Sequence, residues 1–352
     1  MRYHAGEIDS PDSVSFSTFW KAKGKPLNDQ SIDRTLCVAP MMAWTDRHCR
    51  YLHRLSAPRA LLFTEMISAA ALLNGPRDRL LRFDTAEHPV AIQLGGSDPR
   101  ELAAAAQLAA TAGYDEINLN VGCPSPRVKE GSFGACLMRE PALVAACITA
   151  MRAAVDVPVT VKCRLGVDDH DSDALLDRFV ETVAAGGCDV FYVHARKALL
   201  NGLSPAQNRS IPPLQYLRAY RLKNRFPALR FIVNGGIGNA AAVSAHLTQV
   251  DGVMIGRAAY QDPIALAGIH ASLYGNTAPD AWTLMDRYQQ YMARELADGG
   301  RLNDMTRHAL GLFAGIPGAR RYRQILSDAR RLKANDVGLV NEALDAIKLR
   351  AA

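Results

Sequence analysis

Eight short apolar runs recur along the chain, at 36–41, 61–66, 89–94, 117–120, 157–162, 190–194, 231–236 and 252–256. Several of the intervals between them read as amphipathic helix. Residues 100–112 are alanine-rich, open after Asp98-Pro99 and close at Gly113, while 141–154 and 173–185 follow the same period. Nearly continuous apolar strands alternating with helices predict a parallel sheet covered on both faces. Eight such units predict a closed (β/α)8 TIM barrel, although the pattern alone also admits an open doubly wound sheet.

No strand pattern recurs after the eighth unit. Residues 282–298 and 336–349 read as helix, and Asn, Pro and Gly cluster around 275–279. The expected division is an N-terminal extension (1–33), a barrel (34–275) and a small C-terminal helical domain (276–352). Composition fits a soluble enzyme: 352 residues, 49% hydrophobic and 22% charged. No apolar run is long enough for a bilayer and the N-terminus lacks a signal-peptide core, so a cytoplasmic protein is expected. Seven scattered cysteines without a CxxC pair argue against a disulfide framework and a zinc site. The Asp168–Asp171 cluster is read as a solvated loop and helix cap, and His48-Cys49 with His53 as a helix face without ligand spacing. No metal is expected.

In a barrel of this kind, chemistry gathers at the C-terminal ends of the strands. Those ends are polar here: Pro40-Met41-Met42, Glu65, Gln93, Asn118, Asn120, Lys162 with Arg164, His194 with Arg196, Asn234 and Arg257. Lys162 could cap the barrel mouth, and a lone histidine such as His194 is more often a satisfied core residue. Their coincidence at one end argues for a shared cavity. Gly235, Gly236, Gly256 and Arg257 end strands seven and eight, where backbone N–H groups and a guanidinium can hold a phosphate. Residues 236–241 also fit G-x-G-x-x-A, a match discounted because it lies in the seventh unit. A phosphorylated flavin, FMN, suits the cavity. Gln93 can bond the uracil-like edge of the ring, Lys162 can favour the anionic reduced form, and Pro40, Met41 and Met42 can pack against it. Cys123, just past the fourth strand in Gly122-Cys123-Pro124, sits where a reactive thiol meets substrate, although an isolated cysteine at a turn is more often structural.

The motifs taken together resemble the tRNA-dihydrouridine synthases. Val38-Ala39-Pro40-Met41, Phe63-Thr64-Glu65-Met66, Gln93-Leu94-Gly95-Gly96, Asn118-Leu119-Asn120-Val121-Gly122-Cys123-Pro124-Ser125-Pro126, Val161-Lys162-Cys163-Arg164, Val193-His194-Ala195-Arg196 and Asn234-Gly235-Gly236 occur in order. Stretches 195–214 and 307–320 resemble the A-type subfamily. Ala43 stands where the family often has aspartate, a change a backbone-lined turn is expected to tolerate. The resemblance implies reduction of uridine to 5,6-dihydrouridine in the tRNA D-loop, at positions 20 and 20a. It further implies FMN reduced by NADPH, hydride transfer to C6 and a proton from Cys123 to C5. By the same carry-over Gln93, Lys162, His194, Asn234, Gly235, Gly236, Gly256 and Arg257 hold FMN, while Pro40, Met41 and Met42 are expected against it on their apolar character. Asn120 binds the uracil edge.

The net charge of +6 then acquires a purpose. Arg307, Arg320, Arg321, Arg323, Arg330, Arg331 and Lys333 crowd a short span whose acids are Asp304 and Asp328. A charge run is usually a solvated face, but beside a site for a polyanion it reads as phosphate contact. Arg164, Arg209, Arg320, Arg321 and Arg323 are the expected tRNA contacts; Tyr322 could stack or belong to the core. No obligatory protein partner is expected, and the chain is read as a monomer. Two other readings remain open on the residues alone: an FMN barrel acting on a small molecule such as dihydroorotate or an enone, and a catalytically silent barrel that binds RNA. Reversing Arg320 and Arg323 to Glu is expected to weaken tRNA binding in a gel-shift titration while bound flavin absorbance is unchanged.

Overall fold

A computed structural model describes residues 32–125, 131 and 133–351. The expected N-terminal extension falls almost wholly outside the described residues, as does Pro126. Eight parallel strands form one sheet: β1 (Leu36–Val38), β2 (Leu62–Ser68), β3 (Val90–Gly95), β4 (Glu116–Val121), β5 (Val159–Arg164), β6 (Val190–His194), β7 (Arg230–Asn234) and β8 (Gly252–Ile255). Each pairs with its sequence neighbour from β2 to β8, and β8 pairs with β1. Leu61 closes the ring on β1: Val38 N–H donates to Leu61 O at 2.9 Å and Leu61 N–H to Leu36 O at 3.0 Å. The closed barrel, not the open sheet, is what forms. β1 is shorter than its apolar run suggested, because the chain turns at Pro40, where no N–H is available for the ladder.

The outer layer contains α1 (Arg47–Ser56), α2 (Pro99–Thr111), α3 (Pro141–Ala154), α4 (Asp173–Ala185), α5 (Tyr216–Arg225), α6 (Ala240–Leu247) and α7 (Pro263–Tyr274). Local chemistry fixes their starts. Asp98 accepts from the N–H groups of Arg100 and Glu101 ahead of Pro99, and Asn239 accepts from Ala242. Such a cap contributes about 1 kcal/mol. The main apolar core, including Leu94, Leu119, Val121 and Val161, lies between strands and helices. A second, smaller cluster of Cys37, Ala39, Leu61, Phe63, Ala91, Val190, Tyr192, Ile232 and Met254 fills the barrel interior.

After Gly275 (φ +69), α8 (Ala281–Ala297), α9 (Leu302–Ala309), α10 (Ala319–Leu326) and α11 (Gly338–Ala351) build a separate core around Tyr288, Phe313 and Tyr322. Tyr322 is fully buried and donates to Ala309 O at 3.0 Å, which settles its place. This bundle docks on α1. Leu52 enters its core, Tyr51 stacks on Tyr291 at 3.9 Å, and Tyr288 Oη donates to His48 O at 3.1 Å.

Three expectations need correction. Cys49 and His53 are four residues apart on α1, which is helical contact spacing, and Cys49 Sγ lies 3.6 Å from His53 Nε2. The pair is sealed inside the protein, His53 bonding Ala259 O at 3.1 Å, and no group of three candidate metal ligands forms among the described residues. The Asp168–Asp171 loop is ion-paired rather than merely solvated: Arg139 reaches Asp168 and Asp169, and Arg218 reaches Asp171. The cap of α4 is Ser172. Within the basic tail, Arg307 is spent on Asp46 and Arg331 on Glu342.

Burial holds both His48 and His53 at about 3, far below the ordinary histidine range. Unfolding restores ordinary values near 6.5, so the unfolded chain takes up protons that the folded one refuses. Stability is expected to fall as pH drops below about 6.5, by about 1.4 kcal/mol per pH unit for each histidine. Urea midpoints at pH 7, 6 and 5 check this; a flat profile contradicts it.

Candidate active site

The C-terminal ends of the strands surround a cavity of about 500 Å³. Every expected strand-end residue from Pro40 to Arg257 with an assigned cofactor or substrate role lines it: Pro40, Met41, Met42, Gln93, Asn120, Cys123, Lys162, Arg164, His194, Arg209, Asn234, Gly235, Gly236, Gly256 and Arg257. Arg320, Arg321 and Arg323 do not. They stand exposed on α10, outside the lining.

The β1 loop forms one wall. Thr45 clamps it, its Oγ1 accepting from Met41 N–H at 2.9 Å and its own N–H donating to Met41 O at 2.9 Å. Ala43 adopts φ +62, a left-handed conformation costing a residue with Cβ about 1–2 kcal/mol. Its N–H is held by Glu65 at 2.5 Å, so the alanine is constrained rather than simply tolerated. Trp44 stacks on Tyr260 at 4.4 Å, and Tyr260 meets the edge of His308 at 5.7 Å. Asp46 caps α1 through Cys49 N–H and also accepts from Arg307 and His308 of α9. These contacts hold the helical bundle to the loop that lines the cavity. Trp44, Tyr260 and Asp46 were given no role on sequence, although Trp44-Thr45-Asp46 follows Val38-Ala39-Pro40-Met41 among the motifs that carry the resemblance.

The opposite wall is the turn after β4. Asn120 Oδ1 accepts from the N–H groups of Gly122 and Cys123 at 3.1 and 3.0 Å. Arg164 Nε donates to Gly122 O at 2.9 Å, while its Nη1 donates to Lys197 O and Asn208 O. This guanidinium, 3% exposed, is committed to the backbone of the turn and of the loop after β6. Cys123 is only partly exposed, and burial pushes its thiol up, against the lowering influence of Ser125 N–H, Arg164, Lys162 and Arg209. The thiol is therefore protonated at neutral pH.

Strands β5 to β8 supply the cationic side. Lys162 Nζ donates to Asn234 Oδ1 at 3.2 Å, and Asn234 Nδ2 donates to Met254 O at 2.8 Å. Burial, then Arg164, lowers Lys162 to about 8. Burial also holds His194 well below its ordinary value, helped by Arg164 and Lys162, so it is neutral. Gly235 (φ +121) and Gly236 (φ +70) require glycine. A Cβ at Gly235 would come within 2.9 Å of both His194 and Leu214. Their backbone leaves a cradle beside Arg257, whose guanidinium donates to Arg209 O at 3.2 Å. Gly256 is under no such pressure, since a Cβ there meets nothing closer than 3.9 Å. No carboxylate lines the cavity among the described residues, against Lys162, Arg164, Arg209 and Arg257. Such a site is built for an anion.

Residues 37–350 match the family model for dihydrouridine synthase. The chain belongs to the dihydrouridine synthase family. It is 56% identical over 308 residues to a protein of Xanthomonas campestris pv. campestris named tRNA-dihydrouridine(20/20a) synthase, covering 88% of this chain and 92% of the relative. A Vibrio cholerae protein of the same name is 52% identical over 315 residues, covering 89% and 96%. A solved 2-naphthoyl-CoA reductase complex aligns with a TM-score of 0.53 at 11% identity, over 69% of this chain and half of that one. That likeness speaks only for the fold. As a member of this family the chain is an oxidoreductase, and no described helix is long and apolar enough to cross a membrane.

The lowered Lys162 makes a pH prediction for this family member. Its ammonium is present below about 8 and lost above. Flavin binding, followed by quenching of flavin fluorescence, is expected to weaken as pH rises through 8. Lys162→Met is expected to bind weakly at every pH and to lose that dependence; an unchanged slope in the variant counts against the assignment.

Proposed function

We propose that this chain reduces uridine to 5,6-dihydrouridine at positions 20 and 20a of the tRNA D-loop, using FMN and NADPH. The observation that carries the reading is a cavity in which a protonated thiol faces a cationic surface with no carboxylate among the described residues. An anionic cofactor and an anionic substrate both suit it. The 20/20a assignment rests on the relatives of that name, which align over nearly their full length. The family is flavin-dependent, and the residues fit FMN: the Gly235–Gly236 cradle admits no Cβ, and Arg257 and Lys162 offer positive charge.

Reduced FMN, when bound, supplies the hydride that C6 of the uracil receives, with NADPH as the source of the electrons. The chain's own groups do the rest. Gly235, Gly236, Gly256 and Arg257 hold the phosphate; Gln93, Lys162, His194 and Asn234 hold the ring system, with Pro40, Met41 and Met42 against it. The target base must leave its stack to enter a recessed cavity of this kind. Asn120 binds its edge. Cys123 gives its proton to C5 as hydride arrives at C6, leaving a thiolate that solvent reprotonates. The neighbouring Arg164, Lys162 and Arg209 stabilise that thiolate. Arg164, fixed to three carbonyls, serves the tRNA by holding the turn and the loop after β6 in shape. Arg209 and the exposed Arg320, Arg321 and Arg323 meet phosphates. On this reading the chain acts in the cytoplasm as a monomer without an obligatory protein partner.

Cys123→Ala is expected to retain flavin absorbance and tRNA binding while dihydrouridine formation falls by at least about 100-fold, the usual weight of a general acid. Dihydrouridine is read by mass spectrometry of tRNA from a deletion strain complemented with each variant. Full turnover in the alanine variant removes Cys123 as the proton donor, and unmodified tRNA with wild type removes the proposal.

A further inference from the structure

A chain of hydrogen bonds rises through the barrel interior to the Cys123 turn. It starts at Glu116, fully buried on β4 and held by Arg34, whose Nε and Nη2 lie 2.8 and 2.7 Å from Oε2. Thr160 Oγ1 on β5 donates to Glu116 Oε1 at 2.7 Å. Asn118 Nδ2 donates to Thr160 Oγ1 at 2.9 Å, Gln93 Nε2 to Asn118 Oδ1 at 2.8 Å, and Asn120 Nδ2 to Gln93 Oε1 at 2.8 Å. Asn120 Oδ1 then takes the N–H groups of Gly122 and Cys123.

The direction of this chain is dictated at both ends. A carboxylate paired with a guanidinium can only accept, so the single hydroxyl proton of Thr160 goes to Glu116 and Thr160 must accept from Asn118. At the other end, two backbone N–H groups can only donate, so Asn120 must turn its oxygen to them and its nitrogen to Gln93. The two requirements agree. Reversing any one amide sets donor against donor at one neighbour and acceptor against acceptor at the other, among buried groups. Both amide oxygens at the top are already engaged, so Gln93 and Asn120 each keep one N–H for the cavity that they line. The cavity floor is thereby polarised to meet carbonyl oxygens.

We infer that Glu116 and Thr160 are positioning residues, setting through this chain the amide polarity of Gln93 and Asn120 and the pose of the Cys123 turn. The inference rests on the functional reading for the identity of what the two N–H groups meet. It does not rest on it for the turn.

The test uses the full chain. Thr160→Val keeps volume but removes the donor and acceptor; Thr160→Ser keeps both. Asn118→Leu breaks the chain at its middle. Tyr192→Phe removes another bond to Glu116 Oε1, at 2.9 Å, that lies off the chain. Thr160→Val and Asn118→Leu are expected to lower kcat on tRNA by about tenfold with KM within about twofold. They are also expected to shift the visible flavin spectrum and to raise, by about threefold, the rate at which N-ethylmaleimide modifies Cys123 in flavin-free protein, read on its peptide by mass spectrometry. Thr160→Ser and Tyr192→Phe are expected to match wild type in all three, whatever their melting temperatures. Wild-type kcat, spectrum and alkylation rate in the chain-breaking variants overturn the inference. An equal loss in Tyr192→Phe does so too, by showing general softening of the barrel. If Thr160→Val does not fold, Asn118→Leu decides alone. Wild-type protein that takes up no flavin refutes the functional reading, and the alkylation rates then decide this inference by themselves.

Discussion

Alternation along a parallel strand sends every second side chain into the barrel, withdrawn from bulk solvent. An interior polar residue must therefore find a partner on a neighbouring strand or cost several kcal/mol. Part of the interior follows the apolar solution, with Phe63, Tyr192, Ile232 and Met254 packed together. From Glu116 upward, β3, β4 and β5 follow the polar one. Register makes this possible: Gln93 pairs with Asn118 and Asn120 with Lys162 across adjacent strands. Residues of β4 two apart thus share one strip with their β3 and β5 neighbours, and the chemistry at the mouth stands on side chains that cannot rotate independently.

The mouth concentrates positive charge in a way that works against folding. Burial lowers Lys162, and the neighbouring Arg164 adds repulsion. The protein limits the cost by committing some of the charge to its own backbone. Arg164 and Arg196 end on carbonyls of the β4 turn and the loop after β6, which bridges them to Asn208 and Pro212. What remains, around Gly235, Gly236 and Arg257, complements an anion, so ligand binding and stability are coupled there.

The C-terminal bundle is tied to the catalytic end through α1. Its core reaches Leu52, and its polar contacts with the barrel include the carboxylate of Asp46, which caps α1 and takes both Arg307 and His308. The pairings hold that carboxyl well below the usual carboxylate range. Because the same loop carries Met41, Met42 and Trp44, displacement of the bundle would be felt in the cavity wall.

The barrel was legible in the sequence because it is written locally: apolar runs make strands, a capped apolar stripe makes a helix, and eight repeats leave few ways to close. Polar residues at the ends of those runs were enough to point to one cavity, since a parallel barrel places all such ends on one rim. Partnership was not legible. Nothing in the sequence separates Arg164, consumed by carbonyls, from Arg209, exposed at the rim, or Arg307, neutralised by Asp46 about 260 residues earlier, from Arg320 on an open face. The stack of Trp44 on Tyr260 likewise depends on what the fold brings alongside. Local pattern determined which elements form and at which end of the barrel the polar cavity lies. Only long-range closure decided which charges stay free and which way each buried amide points, because a hydrogen bond or ion pair is a property of two groups that distant parts of the chain bring together.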